Sequence, residues 1–394
     1  MNVTPLALHS TRAVRDALRA HGWDGGTAAT AADGASAAAF HMTGLDDASL
    51  EALVHFGGRL GLEVLTGPGW ALVSGSRSRL SAFARPWTVP EPLREAAMLV
   101  GLALPPEPPR AWRTAAGDLP LDRPVIIGIL NVTPDSFSDG GAHAGVDAAI
   151  VHAERLLAEG AAVLDLGGES TRPGRDRLVP EEEELARVVP VLEALVRRFP
   201  GVIVSIDTMK AGVARAALGA GAAVVNDVTA FRHDPAMARV VAGSAAGAIL
   251  MHSRGPALEI ASTDRAEYGA DPVGTVLDEL RQSLHGAAAA GIGAERIVLD
   301  PGLGFSKTAE QSLQALDQLA AFASLGRPLL VGPSRKRFLG AATGRDVPER
   351  DTATAAACAL AWDRGARLFR VHDVAAARDA LLLAHALGGS APAA

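Results

Sequence analysis

The sequence predicts an α/β protein: a (β/α)8 barrel preceded by a small α/β N-terminal domain. Three observations carry this. From residue 125 onward, eight short apolar, β-branched runs alternate with amphipathic stretches. Strands that are apolar on both faces and separated by helices imply a parallel sheet with helices packed outside it, and eight such units fit a closed barrel. Upstream, four prolines crowd into positions 105–109, too dense for a helix or a central strand, so they mark a connector. Finally, the Gly-rich turn that usually follows the first strand of an open doubly wound sheet is missing.

The front unit, residues 1–104, reads as helix (10–22), strand (37–45) and helix (47–61). "EVLTG" and "WALVSGS" then suit a hairpin around Gly67-Pro68-Gly69, and two more helical stretches run to about 103. No catalytic constellation stands out there. Residues 105–124 are the proline-rich linker and 125–390 the barrel. The barrel strands are "VIIGILNV" (125–132), "AAVLDLGG" (161–168), "VIVSIDT" (202–208), "AVVNDV" (223–228), "GAILMH" (247–252), "RIVLDPG" (296–302), "LLVGPS" (329–334) and "LFRVHD" (368–373). Between them, segments such as "VDAAIVHAERLLAEG" space their apolar residues helically. "EEEELARVV" (181–189) places acids where they suit a helix dipole and reads as a solvated helix start.

Composition narrows the function. The 394 residues are 48% hydrophobic and 21% charged with a net charge of −7, which disfavours nucleic acid and anionic membranes as partners. Only 4% of residues are aromatic, against a base-stacking binder. No apolar run reaches spanning length, and "MNVTPLALHSTR" lacks signal-peptide order. The single cysteine, Cys358, fits a reducing cytoplasm and reads as a small buried helix residue. "GLGFSKT" (302–308) is not a phosphate loop, because Ser306 stands where the glycine before the lysine is required.

Barrel active sites form at the C-terminal ends of the strands, and here every strand end is polar. The series runs Asn131, Asp135 and Asp139; Asp165 and "GGESTRPG"; Asp207; Asn226 and Asp227; His252; Asp300; Ser334, Arg335 and Lys336; Arg370 and His372. Acceptors Asp207, Asn226 and Asp300 suit a ligand edge that presents N–H donors. Arg172, Lys336, Arg370 and His372 suit a phosphate or pyrophosphate. Asn131 is a hard oxygen ligand for Mg²⁺, which binds through few protein groups plus phosphate oxygens. Asp165 suits either anchoring the ring or pinning the second loop. Asp227, His252 and Arg335 read as structural, His252 by holding a strand-end backbone group.

"GILNVTPDSFSDGG", "DLGGESTRPG", "SIDTMK", "VNDV", "LMH", "DPGLGF", "SRKRFLG" and "RVHD", in that order over about residues 125–390, together resemble the dihydropteroate synthase family. The resemblance implies condensation of (7,8-dihydropterin-6-yl)methyl diphosphate with 4-aminobenzoate. It implies that Asp207, Asn226, Asp300 and Lys336 hold the pterin, and that Arg370 stacks on it and meets the diphosphate with His372. Asn131 would bind Mg²⁺. Thr171 and Arg172 would belong to the second loop, and Asp139, on the first, would stabilise the reacting methylene. Ser334 and Thr171 would lie near the aminobenzoate carboxylate. A homodimer is implied as well. Ser306, where the family commonly has glycine, and Ser253, where methionine is frequent, are departures. Two other readings share part of the set: a folate-to-corrinoid methyltransferase, which needs neither the Asn131 loop nor Arg-x-His, and a non-catalytic pterin binder.

Overall fold

The structure, a computed structural model, describes residues 2–6, 38–75, 77–103, 109–132, 141–170, 177–269 and 271–388. The expected helix at 10–22 and the residues Asp135, Asp139, Thr171 and Arg172 lie outside them. The chain divides into two units, Met1–Pro106 and Glu107–Ala394.

The first unit contains β1 (Asn2–Leu6), β2 (Ala38–Thr43), α1 (Asp47–Arg59), β3 (Glu63–Gly67), β4 (Trp70–Gly75), α2 (Arg77–Phe83) and α3 (Arg94–Ala103). Its strands form an antiparallel sheet in the order β1-β2-β4-β3. The β3–β4 hairpin turns at Pro68-Gly69 with Gly67 opposite Trp70. Asp46 caps α1 by accepting the Ser49 N–H at 2.8 Å. Phe40, Met42, Val73, Leu53, Phe83 and Leu93 make its separate core.

The second unit opens with a correction. Residues 105–124 are expected to be a connector, yet Ala111–Thr114 (β5) and Gly117–Pro120 (β6) pair as a hairpin. The prolines at 105–109 end before it, so the sequence left this segment free to pair. Trp112 is fully buried and donates its indole N–H to the Arg296 carbonyl at 2.8 Å. It packs with Val125, Ile127, Val163, Val224, Ile249, Val298, Leu330 and Leu368, the lower interior of the barrel.

The barrel elements are β7 (Val125–Asn131), α4 (Gly141–Glu159), β8 (Val163–Gly167), α5 (Glu181–Arg198), β9 (Ile203–Asp207), α6 (Ala211–Gly219), β10 (Val224–Asp227), α7 (Met237–Ala242), β11 (Gly247–Met251), α8 (Pro272–Ala289), β12 (Ile297–Asp300), α9 (Ala309–Asp317), β13 (Leu329–Val331), α10 (Arg337–Thr343), α11 (Asp351–Asp363), β14 (Ala366–Val371) and α12 (Val374–Gly388). β7 to β14 are parallel and close on themselves, β14 pairing with β7. The eightfold barrel expected from the alternation of runs is therefore the observed fold.

Side chains alternate across a strand, so each strand sends every second residue inward. The outward rows, among them Leu130, Leu164, Leu166, Ile206, Val225, Leu250, Leu299, Phe369 and Val371, bury against the helices in the largest core. The inward rows begin with the aliphatic set around Trp112. Two residues further along they become Asp165, Ser205, Asn226, Met251, Asp300 and Arg370. The barrel interior thus turns from aliphatic to mostly polar within one alternation, at the C-terminal end, with Ile129 and Met251 still apolar.

Trp112 closes the opposite end. Trp112→Ala should destabilise the barrel by about 3–5 kcal/mol, the usual cost of truncating a large buried aromatic, while Trp112→Phe should lose much less. Denaturant midpoints of the three proteins check this.

Candidate active site

The polar inward residues are tied into one constellation. Arg370 is the centre: its Nε donates to Asp165 Oδ2 at 2.5 Å and its Nη2 to Asp207 Oδ2 at 2.6 Å. Asn226 Nδ2 donates to the same Asp165 oxygen at 3.1 Å. Burial alone would lower the Arg370 pKa, but Asp165 and Asp207 outweigh it and raise it. Asp165 therefore belongs to the floor of the barrel mouth rather than to the second loop.

Asp300 ends β12, buried, and accepts the Gly302 N–H at 2.7 Å. Burial pushes its pKa up to about 6, and burial raises Asp207 too, with the Arg370 charge opposing. Lys336 lies within the field of Arg370, Asp300 and Asp207, and burial brings it down to about 7. Its ammonium stands 3.4 Å over the centroid of the Phe305 ring. The lysine stem runs close over Gly304, at φ +76°, where a Cβ would meet Lys336 Cδ at 3.0 Å. Ser334 Oγ lies 2.8 Å from His372 Nδ1 and accepts the His372 backbone N–H at 3.2 Å.

Asn131 is half-buried at the end of β7. Its Oδ1 faces Gly167, where a Cβ would stand 3.2 Å from that oxygen and 3.6 Å from Asp207 Cβ. The missing side chain keeps this corner of the mouth open. Among the described residues no group of three His, Cys, Asp or Glu side chains is placed to hold a metal ion. One amide oxygen beside a position that only glycine leaves clear matches a hard cation that takes its other oxygens from a substrate.

The residues expected to be structural have definite tasks. Asp227 faces outward and accepts from Thr229 N, Thr229 Oγ1 and Phe231 N at 2.7, 2.7 and 3.0 Å. Arg335 braces its loop by a two-pronged bond to Asp351, both at 2.8 Å. The departures are absorbed locally. Ser306, at φ 48°, takes the Arg254 N–H on its Oγ at 2.9 Å, and Ser253 Oγ donates to the Val228 carbonyl at 2.7 Å. Cys358 is buried on α11, with its thiol pushed up to about 12 by burial.

Two clusters escape sequence reasoning, and two expectations are corrected with them. The acidic run at 181–184 is not wholly a solvated helix start: Glu184 is fully buried and receives Lys210 Nζ, which also donates to Glu169 Oε2 at 2.5 Å. Burial alone would lower the Lys210 pKa, but the two carboxylates outweigh it and raise it. Glu169 Oε1 in turn accepts the Val179 N–H at 3.2 Å. The triad thereby joins the two ends of the second loop to α5. Likewise, the His252 ring does not hold a backbone group. Its Nδ1 meets Lys307 Nζ and its Nε2 meets Glu279 Oε2, both at 2.8 Å. Burial lowers His252 to about 3, so the neutral ring accepts from Lys307 and donates to Glu279. The run "DTMK" at the end of β9 carries no signal that Lys210 reaches a glutamate 41 residues back; only helix docking reveals it.

Fold and site together define a barrel enzyme whose mouth offers acceptors to a flat polar ring and cations to an anionic tail. The family model for pterin binding enzymes matches residues 127–372. Dihydropteroate synthase from Mycobacterium leprae is 47% identical over 265 residues, covering 65% of this chain and 90% of that protein. The enzyme of the same name from Bacillus subtilis is 42% identical over 253 residues, covering 64% and 85%. The structure of Xanthomonas albilineans dihydropteroate synthase with 4-aminobenzoic acid superposes with a TM-score of 0.65 at 45% identity, over 71% of this chain and 98% of that one. The chain belongs to the pterin-binding enzyme family, on its dihydropteroate synthase branch.

Lys210→Met should cost about 3–5 kcal/mol, because it leaves two carboxylates buried against each other. Adding Glu184→Gln should return part of that loss. Urea unfolding of the two variants and the wild type measures the coupling.

Proposed function

We propose that this chain condenses (7,8-dihydropterin-6-yl)methyl diphosphate with 4-aminobenzoate to give 7,8-dihydropteroate and diphosphate, a step of folate biosynthesis. One observation carries the reading: within the family-matched segment, the inward rows end in three acceptors, Asp207, Asn226 and Asp300, beside the two cations Arg370 and Lys336. The acceptors match the N–H donors of an amino-pyrimidinone edge. Lys336 completes the grip on the ring. Arg370 lies against its face and, with His372 and Arg172, receives the diphosphate.

The chemistry follows from charge. The bond between the exocyclic methylene carbon and the diphosphate oxygen breaks with its electron pair leaving on the diphosphate. The arylamine nitrogen bonds to that carbon and gives up a proton. Cations at the leaving group favour this separation, and the family resemblance gives Asp139 the role of stabilising the cationic methylene. The amine needs placement more than activation, and Ser334 and Thr171 hold its distant carboxylate. Asn131 is the residue placed to hold Mg²⁺, which when bound supplies positive charge to the diphosphate oxygens.

We also assign the active form as a cytoplasmic homodimer. Leu360 on α11 and Leu382 and Leu383 on α12 are 51%, 53% and 63% exposed, and α11 and α12 pack side by side. That apolar face suits a second copy of the chain. Among the described residues no helix is long and apolar enough to cross a membrane.

Diphosphate release measured with and without 4-aminobenzoate tests the reaction; release that ignores 4-aminobenzoate would overturn it. Arg370→Ala and Lys336→Ala should each lower turnover by about a hundredfold or more; Lys336→Ala should melt like wild type, whereas Arg370→Ala, which leaves Asp165 and Asp207 buried without their cation, should also melt at a lower temperature. The pH profile gives a separate check. Asp207 and Asp300 must be ionised to accept, so kcat/KM for the pterin substrate should fall as pH drops through about 7 and then about 6. Lys336 loses its charge above about 7, so an alkaline limb should follow. Lys336→Arg, which stays charged, should lose that limb.

A further inference from the structure

Resting on the reading above, we propose that Asp165 is a specificity-determining positioning residue: it fixes which end of the Asn226 amide faces the ligand. Asp165 is fully buried on β8, and its Oδ2 receives two donors from two other strands, Arg370 Nε from β14 and Asn226 Nδ2 from β10. Arginine only donates, so the oxygen that meets it is an acceptor. The Asn226 group facing that same oxygen must then be its NH₂. This turns the amide nitrogen toward the protein, with one of its two N–H groups spent on Asp165, and leaves Asn226 Oδ1 as the acceptor offered to a ligand.

The consequence is a site with one polarity. An unrestrained asparagine offers either a donor or an acceptor, and so greets an N–H and a carbonyl alike. With its nitrogen held by Asp165, Asn226 joins Asp207 and Asp300 as an acceptor. A ring edge built of N–H donors is satisfied, whereas one that places a carbonyl there meets lone pair against lone pair. Sites that pair a substrate N–H reject analogues lacking it far better than apolar pockets reject shape changes.

Neutralising Arg370 uses only one oxygen of this carboxylate. Among the described residues Asp165 Oδ1, also buried, has no hydrogen-bond partner, nor has Ser205 Oγ, its neighbour in register on β9. A buried polar atom without a partner costs free energy. The arrangement is explained by what Oδ2 does to Asn226 and Arg370.

The test compares Asp165→Asn and Asn226→Asp with wild type for binding of 6-hydroxymethylpterin and of its 2-oxo counterpart, by calorimetry. Asp165→Asn frees the Asn226 amide to turn, so preference for the 2-amino ring should drop by about tenfold. Asn226→Asp sets two carboxylates face to face and should weaken pterin binding by about tenfold or more. A merely structural carboxylate predicts an unchanged preference between the rings. An Asp165→Asn protein with unchanged preference would overturn the inference. Should Asp165→Asn not fold, Asn226→Asp decides: weakened pterin binding supports the assignment, and binding as tight as wild type ends it. Wild-type protein that binds neither ring, yet melts normally, strikes the functional reading itself.

Discussion

The constellation rests on the guanidinium of Arg370, held between two carboxylates at the polar end of a barrel whose other end is aliphatic. Asp165 and Asp207 come from neighbouring strands, and Arg370 from the strand on the far side of β7. Three chain segments far apart in sequence are thus locked by two hydrogen bonds of 2.5 and 2.6 Å. Unpaired, each of these charges would be costly to bury. Together they define a cationic surface that cannot tilt and an acceptor set that cannot withdraw. Substrate recognition and the rigidity of the mouth share one cause.

Outside the barrel wall, two further clusters hold the loops that rim this mouth. Lys210 bridges Glu169 and Glu184, so the strand ends of β8 and β9 are tied to α5. Lys307 bonds His252 Nδ1 and the Gly302 and Phe305 carbonyls, at 2.8, 3.2 and 3.2 Å. The Phe305 ring that lies under Lys336 is thereby kept in place. In each cluster a lysine satisfies several acceptors at once, which suits a flexible cation with three donors. Buried ion pairs add little net stability; these fix positions. Glu279 shows the electrostatic side of this: burial alone would raise it, but hydrogen bonds from His252 and Arg254 bring it down to about 2.

Much of the site was legible because the barrel maps sequence onto space by a simple rule. Once eight alternating runs are recognised, the last polar residue of each run must lie at one rim. Asn131, Asp207, Asn226, Asp300 and Arg370 follow directly. The same rule correctly sent Asp227 outward, since its neighbour Asn226 points in. What escaped lies outside that rule. Glu184 looks like any acid in an exposed first turn, and its burial depends on how α5 docks beside α6. Trp112 sits in a short segment next to a proline cluster, and neither its pairing nor its burial has a local cue. His252 gave itself away as a strand-end residue, but its partners Lys307 and Glu279 come from a later loop and a helix.

The sequence by itself determined the barrel, its order of strands and the chemical character of its mouth. All three are written in local periodicity, in the alternation of side chains along a strand and in the residue types at strand ends. Tertiary structure alone decided the pairing: which carboxylates take Arg370, which end of the Asn226 amide meets Asp165, which lysine neutralises which buried glutamate. These outcomes depend on distances between residues tens to hundreds of positions apart. Hydrogen bonds and charge pairs fall off within a few ångströms, so no spacing along the chain encodes them until the barrel has closed.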